Sequence, residues 1–418
     1  MLVALLGAVI IVVGWSTSAL AQDSESWRPF LELRERFSYL NAFDFDATSP
    51  DADALWAQRL HVGADYESEG PLSARGVLVS AINRGGQVNP VERNNLDIQE
   101  AWLRYSNDNW SATLGRQQLK LGSQRLVALR LGTNVVRTWD GLRISGNHGG
   151  WRWDLFGLQL VQVEPNGSFN DESDGGRTLA GLYATRGTAT LGADFYYLYA
   201  RFDQRRTIEG VADQDRHTVG ARLFGERGPW FWNWEAMYQF GEQDLGAQEQ
   251  DIRAWSLATN TGYRFSAPWS PAVMLSVNVA SGDEQRGDGR LETFDALYPR
   301  GNYFSELAQL GPSNFVNVNP YLMLEPSERL SLSFDVNLYW RREEADGVYG
   351  PPGNIIRAPL GSTARFVNTA FSASAEWALS KNYQLGLALT RSRPERFIEE
   401  TGPSDSTNFI EFTFEAGF

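Results

Sequence analysis

Arginines recur at alternate positions in β-like stretches of this sequence, and that spacing is its first chemical signal. Arg34 and Arg36 alternate with apolar neighbours, and Arg59 precedes His61 by two residues. Alternate residues of a strand share one face, so these side chains point away from the apolar side together. A guanidinium keeps its charge and binds a carboxylate through two parallel hydrogen bonds. The pattern predicts a cationic surface that attracts anions.

Further arginines occupy the same kind of position, namely Arg104, Arg143, Arg222 and Arg341. Acidic residues are predicted on the same face, namely Glu32, Glu100, Asp140, Glu235 and Asp335. Ion pairs between the two sets would brace a wall. A lining with an excess of one charge would also concentrate ions of the opposite sign. Bracing alone and bracing with anion guidance both remain open.

The segment 114–144 interrupts the simple alternation. Strand parity places Arg116 with Leu114, and Asp140 with Leu142, which would aim both charges at an apolar environment. One inserted residue reverses the faces of a strand, and glycine adopts the backbone angles that this needs. We therefore predict bulges near the glycines that adjoin the two charged residues, at positions 115 and 141.

With those bulges, the charged side chains of this segment would point inward together. The loop between the two strands would fold inward as well and form a constriction. Its members would be Arg116, Arg125, Arg130, Arg137 and Asp140.

The elements that must position these residues are strands with alternating apolar and polar residues. The clearest lie at 230–240, 330–341, 383–390 and 409–418, near the length of about 9–11 residues that a membrane strand needs. About 18 such segments begin near residues 30, 54, 72, 95, 109, 134, 151, 178, 188, 215, 229, 252, 271, 314, 328, 364, 381 and 407.

The connections alternate between short and long, as the turns and loops of outer-membrane barrels do. The short ones are 68–71, 107–109, 146–150, 225–229, 267–271, 325–328 and 380–382. The long ones are 41–53, 84–94, 119–134, 161–176, 202–216, 242–251, 281–313, 342–363 and 394–406. Strict alternation requires an even strand count with both termini on the periplasmic side.

The predicted fold is all-β, a transmembrane antiparallel up-and-down barrel of about 18 strands in one domain, residues 22–418. Aromatic residues make up 13% of the 418 positions, with Trp 15, which suits the aromatic girdles of such barrels. Cys 0 excludes disulfides. A barrel this wide leaves an aqueous channel. A secreted β-sandwich or propeller is the alternative.

Both ends of the chain suggest the outer membrane. Residues 1–21 read as a signal peptide, because an apolar run of roughly 13 residues precedes Ala19-Leu20-Ala21 and a spanning helix needs about 20. A membrane anchor helix is the alternative. The terminal strand, which ends at Phe418, resembles the closing strand that barrel-insertion machinery recognises. We expect contacts with outer-membrane lipid and lipopolysaccharide. The acidic long loops, within a net charge of -14, are interpreted as a solvated surface, and a divalent-cation bridge to lipopolysaccharide phosphates is the alternative.

The sequence resembles the alginate-export family of outer-membrane barrels over nearly all of the mature chain. The residues that carry the resemblance are Gly115-Arg116-Gln117, Arg130 before Asn134, Arg137 with Asp140-Gly141, Ala280-Ser-Gly-Asp283 and Thr293-Phe-Asp-Ala-Leu-Tyr-Pro299. The resemblance implies an 18-stranded monomer whose arginine-rich lumen passes a polyuronate. It also implies substrate contact by Arg116, Arg130 and Arg137, with Asp140 as a partner. Members of the family can carry a long plug loop between strands sixteen and seventeen, where this chain has only 380–382.

We therefore expect an outer-membrane channel for an anionic, alginate-like polysaccharide, without cofactor, metal or nucleic acid. The alternative is an uptake porin, substrate-selective or general, for small anionic solutes. The expected lumen contacts are Arg34, Arg36, Arg59, Arg104, Arg116, Arg125, Arg130, Arg137, Asp140 and Arg143. An enzyme is disfavoured, because His 3 is a small supply and no serine-centred glycine motif or zinc spacing accompanies these histidines.

Overall fold

A computed structural model describes residues 27–48, 53–85 and 90–418. The strands are β1 (Trp27–Asn41), β2 (Asp53–Glu67), β3 (Leu72–Arg84), β4 (Asn94–Ser106), β5 (Trp110–Gln117), β6 (Trp139–His148), β7 (Trp151–Gln162), β8 (Glu172–Gly187), β9 (Leu191–Thr207), β10 (Gly210–Arg227), β11 (Trp230–Asp244), β12 (Glu249–Arg264), β13 (Ala272–Ala280), β14 (Arg290–Leu291), β15 (Phe315–Ser327), β16 (Leu330–Arg341), β17 (Val348–Tyr349), β18 (Ile355–Arg357), β19 (Phe366–Ala378), β20 (Tyr383–Pro394) and β21 (Thr407–Gly417). A short helix, α1 (Arg396–Thr401), precedes the last strand.

Eighteen of these strands form one antiparallel wall in chain order, while the short strands β14, β17 and β18 belong to loops. The wall closes because β1 pairs with β2 on one side and with β21 on the other, with Phe37 opposite Phe412. A closed sheet gives each backbone N–H and C=O a partner, as a hydrocarbon environment requires. The predicted barrel of about 18 strands is confirmed.

Side-chain exposure follows the alternation that the sequence predicted. In β21, Ile410 and Phe412 are exposed large apolar residues, whereas Phe409 is buried. Bulky apolar side chains such as Leu114 and Leu155 are likewise exposed on the outer surface, where lipid would cover them. The polar residues that alternate with them along each strand face the interior.

Most connections have the predicted lengths, with two corrections. The segments 202–216 and 242–251 are strand rather than loop, because β9 and β10 extend to Thr207 and Gly210, and β11 and β12 to Asp244 and Glu249. These extensions carry polar residues on both faces, so they have no apolar alternation to identify them as strands. The turn between β19 and β20 is short, as predicted, and leaves no room for a long plug at that position.

Two long connections fold into the barrel. We call residues 118–138, between β5 and β6, the first inner loop, and residues 281–314, between β13 and β15, the second inner loop. They meet at a parallel bridge between Val127 and Tyr298, where the Ala128 amide donates to the Tyr298 carbonyl over 3.0 Å. Their buried apolar residues, together with inward side chains of the wall, form the main hydrophobic core.

The predicted signal peptide, residues 1–21, lies outside the described residues. Within the described part of the chain, no helix combines the length and the apolar character that a membrane crossing needs.

Candidate functional site

Arginines of β1 hold the first inner loop by its backbone. Arg34 donates to the carbonyl oxygens of Leu131 and Thr133 over 2.5 and 2.6 Å. Arg36 donates to the carbonyl of Gly132 over 2.6 Å and pairs with Glu92. Both guanidinium groups are buried, so the strand that the sequence analysis identified by its arginines is a docking edge for the loop.

A second group of arginines lines an internal cavity of about 400 Å³ beneath this loop. Four arginines face it, namely Arg59, Arg75, Arg104 and Arg143. Two glutamates, Glu32 and Glu100, and His61 lie among them. Both signs of charge are therefore present, and what the cavity offers a carboxylate depends on which arginines already have an acidic partner.

The arginines of this cavity differ in their partners. Arg143 lies 2.6 Å from Asp154, and Arg75 lies 3.1 Å from Asp65. Within the described residues, Arg59 and Arg104 form no ion pair. Arg104 donates to the Thr113 hydroxyl over 2.9 Å, and Arg59 reaches only a loop carbonyl at 3.4 Å. Their charge is therefore available to a ligand.

On the far side of the barrel, Arg125 anchors the first inner loop to β11. Its guanidinium donates to the Glu235 carboxylate over 2.7 Å, with both side chains buried. Ser123 and Tyr196 donate to the same carboxylate over 2.5 and 2.7 Å. Arg125 thus braces the loop against the wall, and the substrate contact expected of it stays a prediction.

Arg130 and Arg137 also serve the loop backbone. Arg130 donates to the Val135 carbonyl over 3.3 Å, and Arg137 donates to the carbonyls of Ala128 and Tyr298 over 3.1 and 2.5 Å. Arg137 therefore ties the two inner loops together. Neither arginine forms an ion pair among the residues that the structure describes.

The predicted bulges at Gly115 and Gly141 are wrong. The ladders of β4–β5 and β5–β6 run through both glycines without a register shift, so Arg116 and Asp140 keep the parity of the outward Leu114. Both glycines instead have positive φ, 120° and 150°.

The outward charges are tolerated because they neutralise each other at the end of β5. Arg116 donates two hydrogen bonds to Asp140, over 2.9 and 3.0 Å, and Ser173 donates to the same carboxylate over 2.7 Å. Arg116 also donates to the carbonyl of Asp171, in the β7–β8 loop. The predicted constriction of five charged residues is therefore not assembled: Arg116 and Asp140 stand apart from Arg125, Arg130 and Arg137.

Two polar features of the interior were not predicted from the sequence. One is a row of asparagine and serine side chains on the inner face of β12 to β20, which alternate with apolar residues but carry no charge. The other is a buried carboxyl pair, Asp283 and Asp346, where the Asp283 amide donates to Asp346 over 3.0 Å. Burial, reinforced by the neighbouring Asp346 carboxylate, raises the pKa of Asp283 to about 7.

His61 and His217 lie in different surroundings. His61 lies 3.3 Å from Glu32 in the cavity, while His217 lies within β10 rather than at its start and stacks on Phe240. Among the described residues, no group of three or more histidine, cysteine, aspartate or glutamate side chains could hold a metal ion.

Comparison with known proteins gives one family and one fold. A family model described as alginate export matches residues 30–411. No curated protein sequence matches the chain. Among solved structures, Acinetobacter baumannii OccAB3 has a TM-score of 0.66 at 11% identity, over 94% of this chain and 99% of that one. Pseudomonas aeruginosa OpdO has a TM-score of 0.65 at 12% identity, over 94% and 97%. P. aeruginosa OpdK, solved with vanillate, has a TM-score of 0.62 at 10% identity, over 94% and 99%.

Proposed function

The chain belongs to the alginate export family of bacterial outer-membrane proteins, and from that premise we propose that it passes an anionic, alginate-like polyuronate through its lumen. The observation that carries the proposal is that Arg59 and Arg104 face the cavity beneath the first inner loop without an ion-pair partner among the described residues. Fixed positive charge in a narrow passage raises the local concentration of anions.

The contacts of the predicted lumen arginines support two different roles. Those that hold backbone carbonyls or carboxylates, such as Arg34 and Arg125, set the position of the first inner loop. Arg59 and Arg104 face the cavity, have no acidic partner among the described residues and make no short bond to the loop backbone, so they are the proposed substrate contacts. This division supports bracing combined with anion guidance.

The second candidate is uptake of small anionic solutes. The observation that favours it is the likeness to selective porins, one of which, OpdK, was solved with the carboxylate vanillate. An arginine-bearing cavity of about 400 Å³ suits a single small carboxylate as well as one unit of a polymer. The two candidates share a predicted anion selectivity and differ in whether a polymer enters.

The test is the reversal potential of the purified channel in a planar bilayer under a KCl gradient. We expect anion selectivity in the unmodified protein and a marked loss of it in the double variant Arg59→Gln, Arg104→Gln. The matched control is Arg201→Gln, which removes an exposed guanidinium paired with Asp203. Cation selectivity in the unmodified channel would contradict the proposal.

Polymer passage is tested separately, by adding oligouronates of increasing length to one side. For an exporter of polyuronate, long oligomers should interrupt the current for longer than short ones, because more units bind in the passage at once. Blocking by monomers alone would favour the uptake of small solutes.

A further inference from the structure

The two inner loops together divide the lumen. The first inner loop is fixed to β1 by Arg34 and Arg36 and to β11 by Arg125, and these two strands lie on opposite sides of the wall. The second inner loop joins it at the bridge between Val127 and Tyr298. The interior is therefore divided into a side bounded by β2 to β10 and a side bounded by β12 to β21.

Each side contains its own cavity. The cavity with Arg59 and Arg104 is lined by β1 to β6 and by the first inner loop. A second cavity, of about 290 Å³, is lined by β12, β13, β15, β16, β19 and β20 and by members of the segment 300–306 of the second inner loop. Among the described residues, the two cavities have no lining residue in common. Two separate spaces thus lie beside the inner loops.

The second cavity has a carboxylate on its wall side and another on its loop side. Asp335 of β16 and Glu306 of the second inner loop line it. The Asp335 carboxylate accepts from the Asn319 amide over 2.8 Å, and the Glu306 carboxylate accepts from the Asn302 amide over 2.8 Å. These donors are uncharged, so within the described residues neither carboxylate is neutralised by an ion pair.

Two arginines line the same cavity, and they differ in their partners. Arg125 lies 2.7 Å from the Glu235 carboxylate, and both side chains are buried. Arg300 is exposed and forms no ion pair within the described part of the chain. Since Glu235 neutralises Arg125, two carboxylates remain against one guanidinium, and the cavity carries an excess of negative charge.

The uncharged part of the wall supplies oxygen atoms that suit cations. Asn278 is 6% exposed and donates to Asn317 over 3.1 Å, but its own Oδ1 accepts no bond among the described residues. Ser333 and Ser374 place their hydroxyl oxygens 2.7 Å apart in the same cavity. Hard cations take oxygen ligands, and carboxylates that line a pore are typical of cation channels. The second cavity is therefore opposite in preference to the cavity with Arg59 and Arg104.

We propose that the second cavity is a separate route for small monovalent cations such as K⁺, with Asp335 and Glu306 as the residues that attract them. The lumen then contains two parallel routes of opposite preference, one for anions past Arg59 and Arg104 and one for cations. Arg300 limits the cation route, because its charge repels a cation. The inference goes beyond the proposed function, since it holds for whichever anion uses the first route.

The test measures the two ions separately in the full-length channel. In a KCl gradient, the conductance reflects the sum of the K⁺ and Cl⁻ permeabilities and the reversal potential reflects their ratio, so the two together give each permeability. The double variant Asp335→Asn, Glu306→Gln should lower the K⁺ permeability by about fivefold or more, because a carboxylate about 4 Å away raises the local concentration of a cation by roughly fivefold even in water. The Cl⁻ permeability should stay unchanged.

The double variant Arg59→Gln, Arg104→Gln is the reciprocal experiment. With separate routes it lowers the Cl⁻ permeability and leaves the K⁺ permeability unchanged. In a single shared route, the loss of two positive charges would instead raise the K⁺ permeability. Arg300→Gln should raise the K⁺ permeability alone.

The single variant Glu306→Gln changes the loop and not the wall, and it retains a side-chain carbonyl oxygen for the bond from Asn302. It should lower the K⁺ permeability a few-fold, which keeps the test valid if Asp335→Asn fails to fold. The matched control is Asp108→Asn, Glu226→Gln, which removes two exposed carboxylates beside the short turns and should change neither permeability.

An unchanged K⁺ permeability in Asp335→Asn, Glu306→Gln, or a raised K⁺ permeability in Arg59→Gln, Arg104→Gln, would overturn the inference. Failure of the proposed function has a different signature, because it appears as cation selectivity of the unmodified channel. An anion-selective channel whose K⁺ permeability does not depend on the two carboxylates would retain the function and lose only the cation route.

Discussion

Arg34 and Arg59 lie directly opposite each other on β1 and β2, and both guanidinium groups point at the carbonyl oxygen of Thr133. Like charges in a cross-strand pair destabilise a sheet. The carbonyl offsets this repulsion unequally, because it accepts from Arg34 over 2.6 Å but from Arg59 over 3.4 Å. Arg34 therefore stabilises the fold, whereas Arg59 adds a positive charge to the interior and lowers the stability of the barrel.

The first prediction is that Arg59→Gln stabilises the barrel while it weakens anion selectivity. Relief of the cross-strand repulsion should add a few tenths to about 1 kcal/mol to the free energy of unfolding. The measurement is the temperature at which the folded band shifts in heat-modifiable gel electrophoresis. Arg34→Gln is the contrasting variant and should lower that temperature, because it removes two short bonds to the loop. A lower transition temperature for Arg59→Gln would show that Arg59 is structural.

The second prediction concerns the brace between Arg125 and Glu235. Glu235→Gln would leave the buried guanidinium without its counter-charge, a change that costs roughly 3–5 kcal/mol when one partner of a buried pair is removed. The strands of the wall do not depend on this contact, so we expect the first inner loop to detach while the barrel stays folded. Single-channel recording should show larger conductance and more current noise. The exposed Glu226 provides the control, Glu226→Gln, and equal noise in both variants would argue against the brace.

The barrel wall could be predicted from the sequence because the alternation of apolar and polar residues within a strand shows which side chains face lipid and which face the interior. In β11, the apolar residues at even positions from Trp230 to Phe240 alternate with Asn233, Glu235 and Gln239, and lipid on one side and water on the other favour that pattern. The extension of β9 and β10 to Thr207 and Gly210 could not be predicted in this way. Polar residues such as Gln214 and Arg216 occupy the buried face of that hairpin, so the sequence shows no alternation of apolar and polar residues there.

The interior was harder to predict, because contacts between distant segments decide it. The cost of a charge that faces lipid favoured a bulge beside Arg116, but that argument assumed an unpaired charge. Asp140 lies directly opposite Arg116 in the β5–β6 ladder and neutralises it. Likewise, the sequence placed Arg130 and Arg137 in a loop that folds inward, but only the folded loop shows that both donate to backbone carbonyl oxygens.

The third prediction follows from the positive φ of Gly115. A Cβ at this position would lie 2.3 Å from the backbone oxygen of Ala101, so Gly115→Ala requires the wall itself to move. We expect a strongly reduced yield of folded barrel when the denatured protein is refolded into detergent or liposomes. Gly157→Ala is the matched control, because a Cβ there would meet nothing within 4 Å. Equal refolding yields would show that β5 tolerates a different twist.

The fourth prediction is a pH dependence at the joint between the second inner loop and the β16–β19 loop, where Asp283 meets Asp346. Burial and the Asp346 carboxylate raise the pKa of Asp283 from 3.8 to about 7, with Glu209 and Asp288 adding to the effect. The docked joint therefore binds a proton that the opened joint releases. The docked state is most stable at low pH, and its stability falls as the pH rises from about 4 towards 7. Over that range the docking equilibrium constant decreases by at most about tenfold per pH unit.

Hydrogen exchange of the loop amides measures this equilibrium, after correction for the intrinsic pH dependence of exchange. Opening should increase between about pH 4 and pH 7 in the unmodified protein and increase less in Asp283→Asn, which keeps the shape of the side chain without its charge. Asp288→Asn, in the exposed part of the same loop, is the control and should retain most of the pH dependence. Asp346 contributes the same sign, since burial also raises its pKa, so a joint that tightened with rising pH would contradict the protonated state of the pair.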